Sequence, residues 1–416
     1  MIHGKSIAIF ASGDIRITGG VNAATLELAK VLAEKNRVHI ISTDNKLDRP
    51  VPVLPGINLH FTRAPRNLLW AHAITPFLAL RDGLMFEDLD ADVFHFNNCC
   101  DMGIVSRRVK RPSVVVLHGV LSLPADEAKK SSYALKNLYF IKNLYLLPFF
   151  RRSLKGADVI VVVNSMLRNH VKFLCPGGVE KTVIVPNGVD VSRFGNAPKG
   201  KVRKKYGLED KLIILYPGRL VPIRDHDDII YALPEIVKNC PEAVLLLAGG
   251  GRREGELKEM VRRLKMEMYV IFAGDIPNKD MPEYYADADI IFNAGLPPES
   301  ILEPADNSMR KCMDDGSVMS ESLATLEGMA AGKPVVCLKP GVTIKKEPVD
   351  PDDVGLLLPV HQTELLAEAI VSLIRDEKIR EEIGSRAKEY IINNRTWKIC
   401  SERMLQAYET AIMKHR

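Results

Sequence analysis

Short apolar strands rich in Val and Ile alternate with helical stretches along the whole 416-residue chain, and no other feature constrains its fold more tightly. In the first half the strand-like runs are Ile7 to Ala11, Val38 to Ser42, Val93 to Phe96, Val114 to Leu117, Val159 to Val163 and Thr182 to Val185. They are continuous rather than alternating, as strands buried on both faces are. Val21, Ala24, Leu28, Val31 and Leu32 form one apolar helical face between the first two. The second half repeats the pattern with Ile213 to Tyr216, Ala243 to Leu247, Val270 to Phe272, Ile290 to Phe292, Val335 to Leu338 and Gly355 to Leu358. Helices are expected between them, for example Asp227 to Lys238 and Glu256 to Lys265. Alternation of this kind predicts an α/β chain with a parallel sheet covered on both sides. Two series predict two Rossmann-like, doubly wound parallel-sheet domains facing across a cleft, with the ligand outside the carboxyl ends of the strands.

The length, at roughly 150 residues per domain, allows two or three domains. The seam is expected near Phe194 to Lys204, where Gly195-Asn196-Ala197-Pro198-Lys199-Gly200-Lys201 is polar and rich in Gly and Pro. That puts one domain at 1–195 and a second at 205–395. Residues 396–416 form a last helix, expected to pack back on the first domain. The net charge of +5, from 57 basic and 52 acidic residues, is too small and too scattered for nucleic acid. It suits an anionic small substrate. The seven cysteines have no metal-ligand spacing, so no metal site is expected and reduced thiols are. No signal-peptide pattern precedes the first strand and no apolar run reaches the ~18 residues of a membrane span. A cytoplasmic location follows as the expectation. Leu135 to Lys155 mixes apolar side chains with Lys136, Lys142, Arg151, Arg152 and Lys155, which suits peripheral contact with an anionic membrane face or packing on its own sheet.

Two stretches carry chemistry. Tyr216-Pro217-Gly218-Arg219-Leu220 ends a strand with a turn at Gly218 and projects Arg219 beyond it, where a guanidinium grips phosphate oxygens in pairs. Arg224 supplies a second positive charge five residues on. Ser320-Glu321-Ser322-Leu323-Ala324-Thr325-Leu326-Glu327-Gly328 reads as a loop entering a helix, whose first N–H groups suit an anion. Glu327 falls about two turns in, either as a ribose ligand or as an ordinary helix-surface glutamate. No Gly-x-Gly-x-x-Gly turn follows a first strand, and Gly249-Gly250-Gly251 follows an interior one, which argues against a nicotinamide dehydrogenase.

Together these stretches resemble the retaining glycosyltransferases of family 4, which have the GT-B fold. The resemblance spans nearly the whole chain. It rests on Thr18-Gly19-Gly20-Val21, Leu117-His118-Gly119, Ala157-Asp158-Val159-Ile160, Val185-Pro186-Asn187-Gly188, Gly218-Arg219-Leu220, Leu246-Leu247-Ala248-Gly249-Gly250-Gly251 and Leu326-Glu327-Gly328-Met329-Ala330. It implies an acceptor-side first domain and a nucleotide-sugar-binding second one. The implied donor is a UDP-, GDP- or ADP-sugar with no further cofactor, and the acceptor a sugar, glycan or lipid-linked molecule. The implied reaction retains the anomeric configuration without a metal. By this resemblance Gly19 and Gly20 lie close to the donor phosphates, and His118 near the transferred sugar. Gly218, Arg219 and Arg224 hold the leaving diphosphate. Leu323 lines the donor site and Glu327 holds the ribose.

The chain departs from the family pattern in three places. Met319 stands where the first of two glutamates is expected, and Glu321 is the nearest carboxylate to replace it. Arg224-Asp225 stand in place of Lys-Gly. The stretch 295–318 is long for a loop and rich in charge. The alternative expectation is therefore a nucleotide- or sugar-binding protein of this fold without transfer activity. A sugar-nucleotide epimerase matches less well.

Overall fold

The computed structural model of the protein describes residues 4–11, 15, 20–44, 54–63, 89–97, 111–119, 147–221, 226–293, 322–339 and 354–415. The chain divides into two compact units, Met1–Gly188 with Trp397–Arg416, and Val189–Thr396.

The first unit is built on a seven-stranded sheet of order β3-β2-β1-β4-β5-β6-β7. Its strands are β1 (Ser6–Phe10), β2 (Arg37–Asp44), β3 (Ile57–Arg63), β4 (Val93–Asn97), β5 (Ser113–Leu117), β6 (Val159–Val162) and β7 (Thr182–Ile184). Every pairing is parallel. All five residues of β1, β4 and β5 are buried, so these strands are covered on both faces. β3 is the strand that the apolar pattern does not announce. In Ile57-Asn58-Leu59-His60-Phe61-Thr62-Arg63 apolar and polar residues alternate, because an edge strand has less of itself to bury.

The second unit holds a six-stranded parallel sheet of order β10-β9-β8-β11-β12-β13. Its strands are β8 (Leu212–Pro217), β9 (Ala243–Ala248), β10 (Val270–Gly274), β11 (Ile290–Asn293), β12 (Val335–Lys339) and β13 (Leu356–Pro359). β8 sends Ile214 and Tyr216 into one apolar cluster and Ile213 and Leu215 into another, so this sheet too has a core on each face. Strand order reverses between β1 and β4 in the first sheet and between β8 and β11 in the second. Neighbouring connections diverge at such switch points and leave a crevice at the carboxyl ends of the strands.

The seam lies ahead of the polar stretch expected to form it. Val189 and Thr396, the ends of the second unit, pair as a parallel bridge, and Val189 N–H donates to the Arg395 carbonyl at 2.9 Å. The Gly- and Pro-rich residues 195–201 belong inside that unit. Phe194 is buried with its ring edge-on to Tyr285, 5.4 Å away. The Asp287 carboxylate accepts from the N–H groups of Gly200, Val202 and Arg203 at the start of the helix Lys201–Tyr206. A polar composition reads as a linker, yet here its donors are satisfied by one buried acid from 84–87 residues further along.

The helix Trp397–His415 belongs to the first unit, where Tyr408 is fully buried. Among the described residues no helix is long and apolar enough to cross a membrane. Residues 147–156 are helical and carry Arg151, Arg152 and Lys155 exposed, while Phe150 and Leu154 are buried on the sheet. The remainder of the basic, apolar stretch, 135–146, lies outside the described residues.

Candidate functional site

In the second unit the β8–β11 switch point is flanked by the two stretches singled out from sequence. Beyond β8 the chain turns at Gly218 (φ 145°) and exposes Arg219. Among the described residues the Arg219 guanidinium has no hydrogen-bond or ion-pair partner, so its donors are available to a ligand. The turn is braced from one side by the triple glycine. Gly218 N–H donates to the Ala248 carbonyl at 3.0 Å and Leu220 N–H to the Gly250 carbonyl at 2.9 Å, while Leu220 in turn accepts from Arg253 N–H at 3.1 Å. A Cβ placed on Gly249 would lie 2.1 Å from the Gly218 oxygen, and one on Gly251 would lie 2.2 Å from the Leu220 oxygen. The glycines are there because two backbones touch, and that contact fixes where Arg219 begins. Gly251→Ala is expected to cost about 2–3 kcal/mol by forcing those backbones apart. A denaturant titration with an unchanged midpoint would remove the bracing role.

Beyond β11, the helix Leu323–Ala330 opens with Ser322 as its cap, the Ser322 Oγ accepting from Thr325 N–H. Asn293, the last residue of β11, fixes that cap to the sheet: its Nδ2 donates to Ser322 Oγ at 2.6 Å and to Thr325 Oγ1 at 2.8 Å. Gly328 lets the helix lie against β11, since a Cβ there would meet Ile291 Cγ1 at 2.9 Å. Glu327 therefore lies just over one turn from the helix start. It is half-buried and accepts from the Tyr285 hydroxyl at 2.8 Å. Burial raises its carboxyl pKa to about 7, against the opposing pull of the Tyr285 hydroxyl and the Arg193 charge. Arg193 is itself tethered to the Asn278 carbonyl and side chain.

In the first unit, β4 ends with Asn97 beside β5, and His118 directly follows β5. His118 Nε2 is 2.9 Å from Asn97 Oδ1, and His95 Nε2 is 2.9 Å from the same oxygen. His95 Nδ1 meets the Tyr408 hydroxyl at 2.6 Å, and Asn97 Nδ2 donates to Thr25 Oγ1 at 2.9 Å. His118, His95, Asn97 and Thr25 border a small cavity with Asn187 and Trp397. Burial, and next the neighbouring His95, lower the His118 pKa to about 4, so the ring is neutral near pH 7. Gly20 is the exposed first residue of the helix Gly20–Ala33, and among the described residues no atom comes within 4 Å of a Cβ placed there.

Of the residues expected at the site, the second unit carries Gly218, Arg219, Leu323 and Glu327, all at the carboxyl ends of its strands. The first unit carries Gly20 and His118 in the equivalent position. Gly19, Arg224, Asp225, Met319, Glu321 and the stretch 295–318 lie outside the described residues. Sequence reasoning missed Asn293, Tyr285, Asn97, His95 and Tyr408. Asn293 left a signal as the polar residue closing an otherwise apolar strand, and His95 and Asn97 as the two polar residues within a buried one.

Comparison with known proteins bears on the family and the fold. Residues 18–193 match the glycosyltransferase family 4 and residues 211–376 the glycosyl transferases group 1. A GDP-mannose-dependent α-(1-6)-phosphatidylinositol monomannoside mannosyltransferase of Mycolicibacterium smegmatis is 26% identical over 274 residues, 63% of this chain. That match spans 65% of the relative, just under two thirds of its length. A D-inositol 3-phosphate glycosyltransferase of Kineococcus radiotolerans is 25% identical over 439 residues, covering 99% of this chain and 94% of the relative. The crystal structure of Anabaena HepE in complex with UDP-glucose superposes with a TM-score of 0.67 at 18% identity, covering 97% of this chain and 98% of that one, which shows the shared fold. With one matched segment in each half, two Rossmann-like sheets and the same fold in its structural neighbours, the chain belongs to the family 4, group 1 glycosyltransferases of the GT-B fold.

Proposed function

We propose that the protein transfers a hexose from a nucleoside-diphosphate sugar to a hydroxyl of a polyol, glycan or lipid-linked acceptor, with retention of anomeric configuration. The observation that carries this reading is Arg219, an exposed guanidinium with no partner among the described residues, braced at a strand switch point. It stabilises the diphosphate as the bond from its terminal oxygen to the anomeric carbon breaks and negative charge gathers there. Arg224 adds to that charge. Glu327 accepts the ribose hydroxyls, and Leu323 lines the same end of the donor. Gly218 allows the turn, and Gly19 and Gly20 leave room for the phosphates. The acceptor hydroxyl forms the new bond to the anomeric carbon and gives up its proton to the departing phosphate oxygen.

Glu321 takes the place of the carboxylate that Met319 lacks, and 295–318 borders the sugar pocket. No metal takes part in this reading. The relatives' names, with phosphatidylinositol mannoside and inositol 3-phosphate as their acceptors, favour an inositol-containing or otherwise lipid-linked acceptor. Exposed Arg151, Arg152 and Lys155 suit peripheral contact with an anionic membrane face from the cytoplasmic side.

Met319 favours a second reading, donor binding without turnover. Incubating the pure protein with UDP-, GDP- and ADP-sugars separates the two: released nucleoside diphosphate supports transfer, whereas tight binding with no release supports the second. His118→Ala is expected to lower kcat about 100-fold with little loss of thermal stability, in the range of positioned acid–base and polar groups. Full activity in that variant would remove His118 from the chemistry.

A further inference from the structure

We propose that Asn97, His95 and Tyr408 are positioning residues that hold His118 in a single tautomer, with its proton on Nε2 and the Nδ1 lone pair free to accept a hydrogen bond. The inference rests on the reading that His118 serves the sugar end of the donor, and it deepens it by assigning the direction of that hydrogen bond.

The direction follows from one end of the network. The Thr25 hydroxyl donates to the Val21 carbonyl one helical turn back, at 2.8 Å. Its proton is spent, so Thr25 Oγ1 offers a lone pair to Asn97, 2.9 Å away. The Asn97 amide must then turn its Nδ2 to Thr25, which leaves Oδ1 facing both imidazoles. An amide oxygen only accepts, so His95 and His118 must each present Nε2–H to it, at 2.9 Å in both cases. A neutral imidazole carries one proton, so both Nδ1 atoms are bare.

The other end agrees. His95 Nδ1 needs a donor and finds the Tyr408 hydroxyl at 2.6 Å, and burial raises the phenol pKa so that it keeps its proton. Five groups therefore form one directed chain in which each proton has one place to go. His118 Nδ1 is the atom left over, without a partner among the described residues, on a ring that is half-buried. A ring held this way accepts from a hydroxyl of the sugar and does not act as an imidazolium acid. The helix Trp397–His415 returns to the first unit across 313 residues to supply the terminal donor, which gives that helix a role at the site. The titratable side chains that border the network are His95 on β4, and Tyr408 and Cys400 on the last helix.

The test is nitrogen-15 NMR of the full-length, histidine-labelled protein, with the His118 signals assigned by their loss in His118→Ala. Long-range proton–nitrogen correlations distinguish the two tautomers without donor or turnover, so the result stands apart from whether transfer occurs. The wild type is expected to show only the Nε2–H form of His118. Thr25→Val, which removes the lone pair that orients Asn97, is expected to give a mixture of tautomers. Asn97→Asp keeps the acceptor but adds charge, and is expected to raise the His118 pKa by about 1–3 units. A wild-type His118 protonated at Nδ1 overturns the proposal, and so does a tautomer unchanged by Thr25→Val.

Discussion

Arg219→Ala is expected to weaken nucleoside-diphosphate binding roughly 10- to 150-fold, the ~1.5–3 kcal/mol of a hydrogen bond to a charged group, and to lower kcat by at least as much. Both effects come from one geometry. Arg219 is exposed and has no partner among the described residues, so removing it breaks no contact among them and the fold should keep its melting temperature. What is lost is charge at the carboxyl end of β8, beside the switch point, the place where open sheets of this kind bind ligands. Because charge on the diphosphate grows as the glycosidic bond breaks, the guanidinium is worth more in the transition state than in the bound donor. Arg219→Lys separates charge from shape. An ammonium restores one contact but not the paired fork, so it should recover part of the affinity and less of the rate. Calorimetric titration with UDP, GDP and ADP, followed by steady-state kinetics with the preferred sugar, measures both. Unchanged diphosphate affinity in Arg219→Ala would refute the assignment and move the phosphate site elsewhere.

The parts of this protein that were readable from sequence are those whose cause is local. β1, β4, β5 and β9 are buried on both faces, so most of their residues had to be apolar, and the runs stood out. β3 lies at the edge, and its alternation of Asn58, His60 and Thr62 with apolar residues blended into the surrounding loops. The Gly218–Arg219 turn was legible because a strand that stops at a glycine followed by an arginine is a local event. Its brace was not, since the reason for Gly249 and Gly251 is a backbone more than thirty residues upstream. The tyrosine partners of Glu327 and His95 were hidden in the same way. Tyr285 is 42 residues from Glu327, and Tyr408 is 313 from His95. Neither tyrosine carries a motif, and each looks like ordinary core until the fold brings it to a carboxylate or an imidazole. Residues 195–201 misled for the converse reason: a polar composition was visible, and the distant Asp287 that satisfies its N–H groups was not.

Donor affinity is expected to rise about tenfold per pH unit as pH climbs toward 7 and to level off above it, with Glu327 as the source. Its carboxyl is held near pKa 7 chiefly by burial, which outweighs the Tyr285 hydroxyl and the Arg193 charge. Ribose hydroxyls donate to the ionised form, so donor binding must draw the proton off and should release it to buffer below pH 7. A nucleotide sugar is the right probe, because its diphosphate is esterified at both ends and does not titrate in this range. The same shift has the opposite consequence for the empty protein. The folded pKa lies above the ordinary 4.5, so the native state binds the extra proton. That contribution to stability is fully present below about pH 4.5 and is lost as pH rises through about 7. Above pH 7 the unliganded protein carries a partly buried anion that the Tyr285 hydroxyl and the Arg193 charge offset only in part. Glu327→Gln keeps an acceptor for Tyr285 and abolishes the charge. It should melt at a higher temperature than the wild type at pH 8, bind donor at least tenfold more weakly there, and lose the pH dependence. Titrations from pH 5.5 to 8.5 in two buffers of different ionisation enthalpy read affinity and proton release together. Equal pH profiles for the wild type and Glu327→Gln would show that the ribose is held by another group.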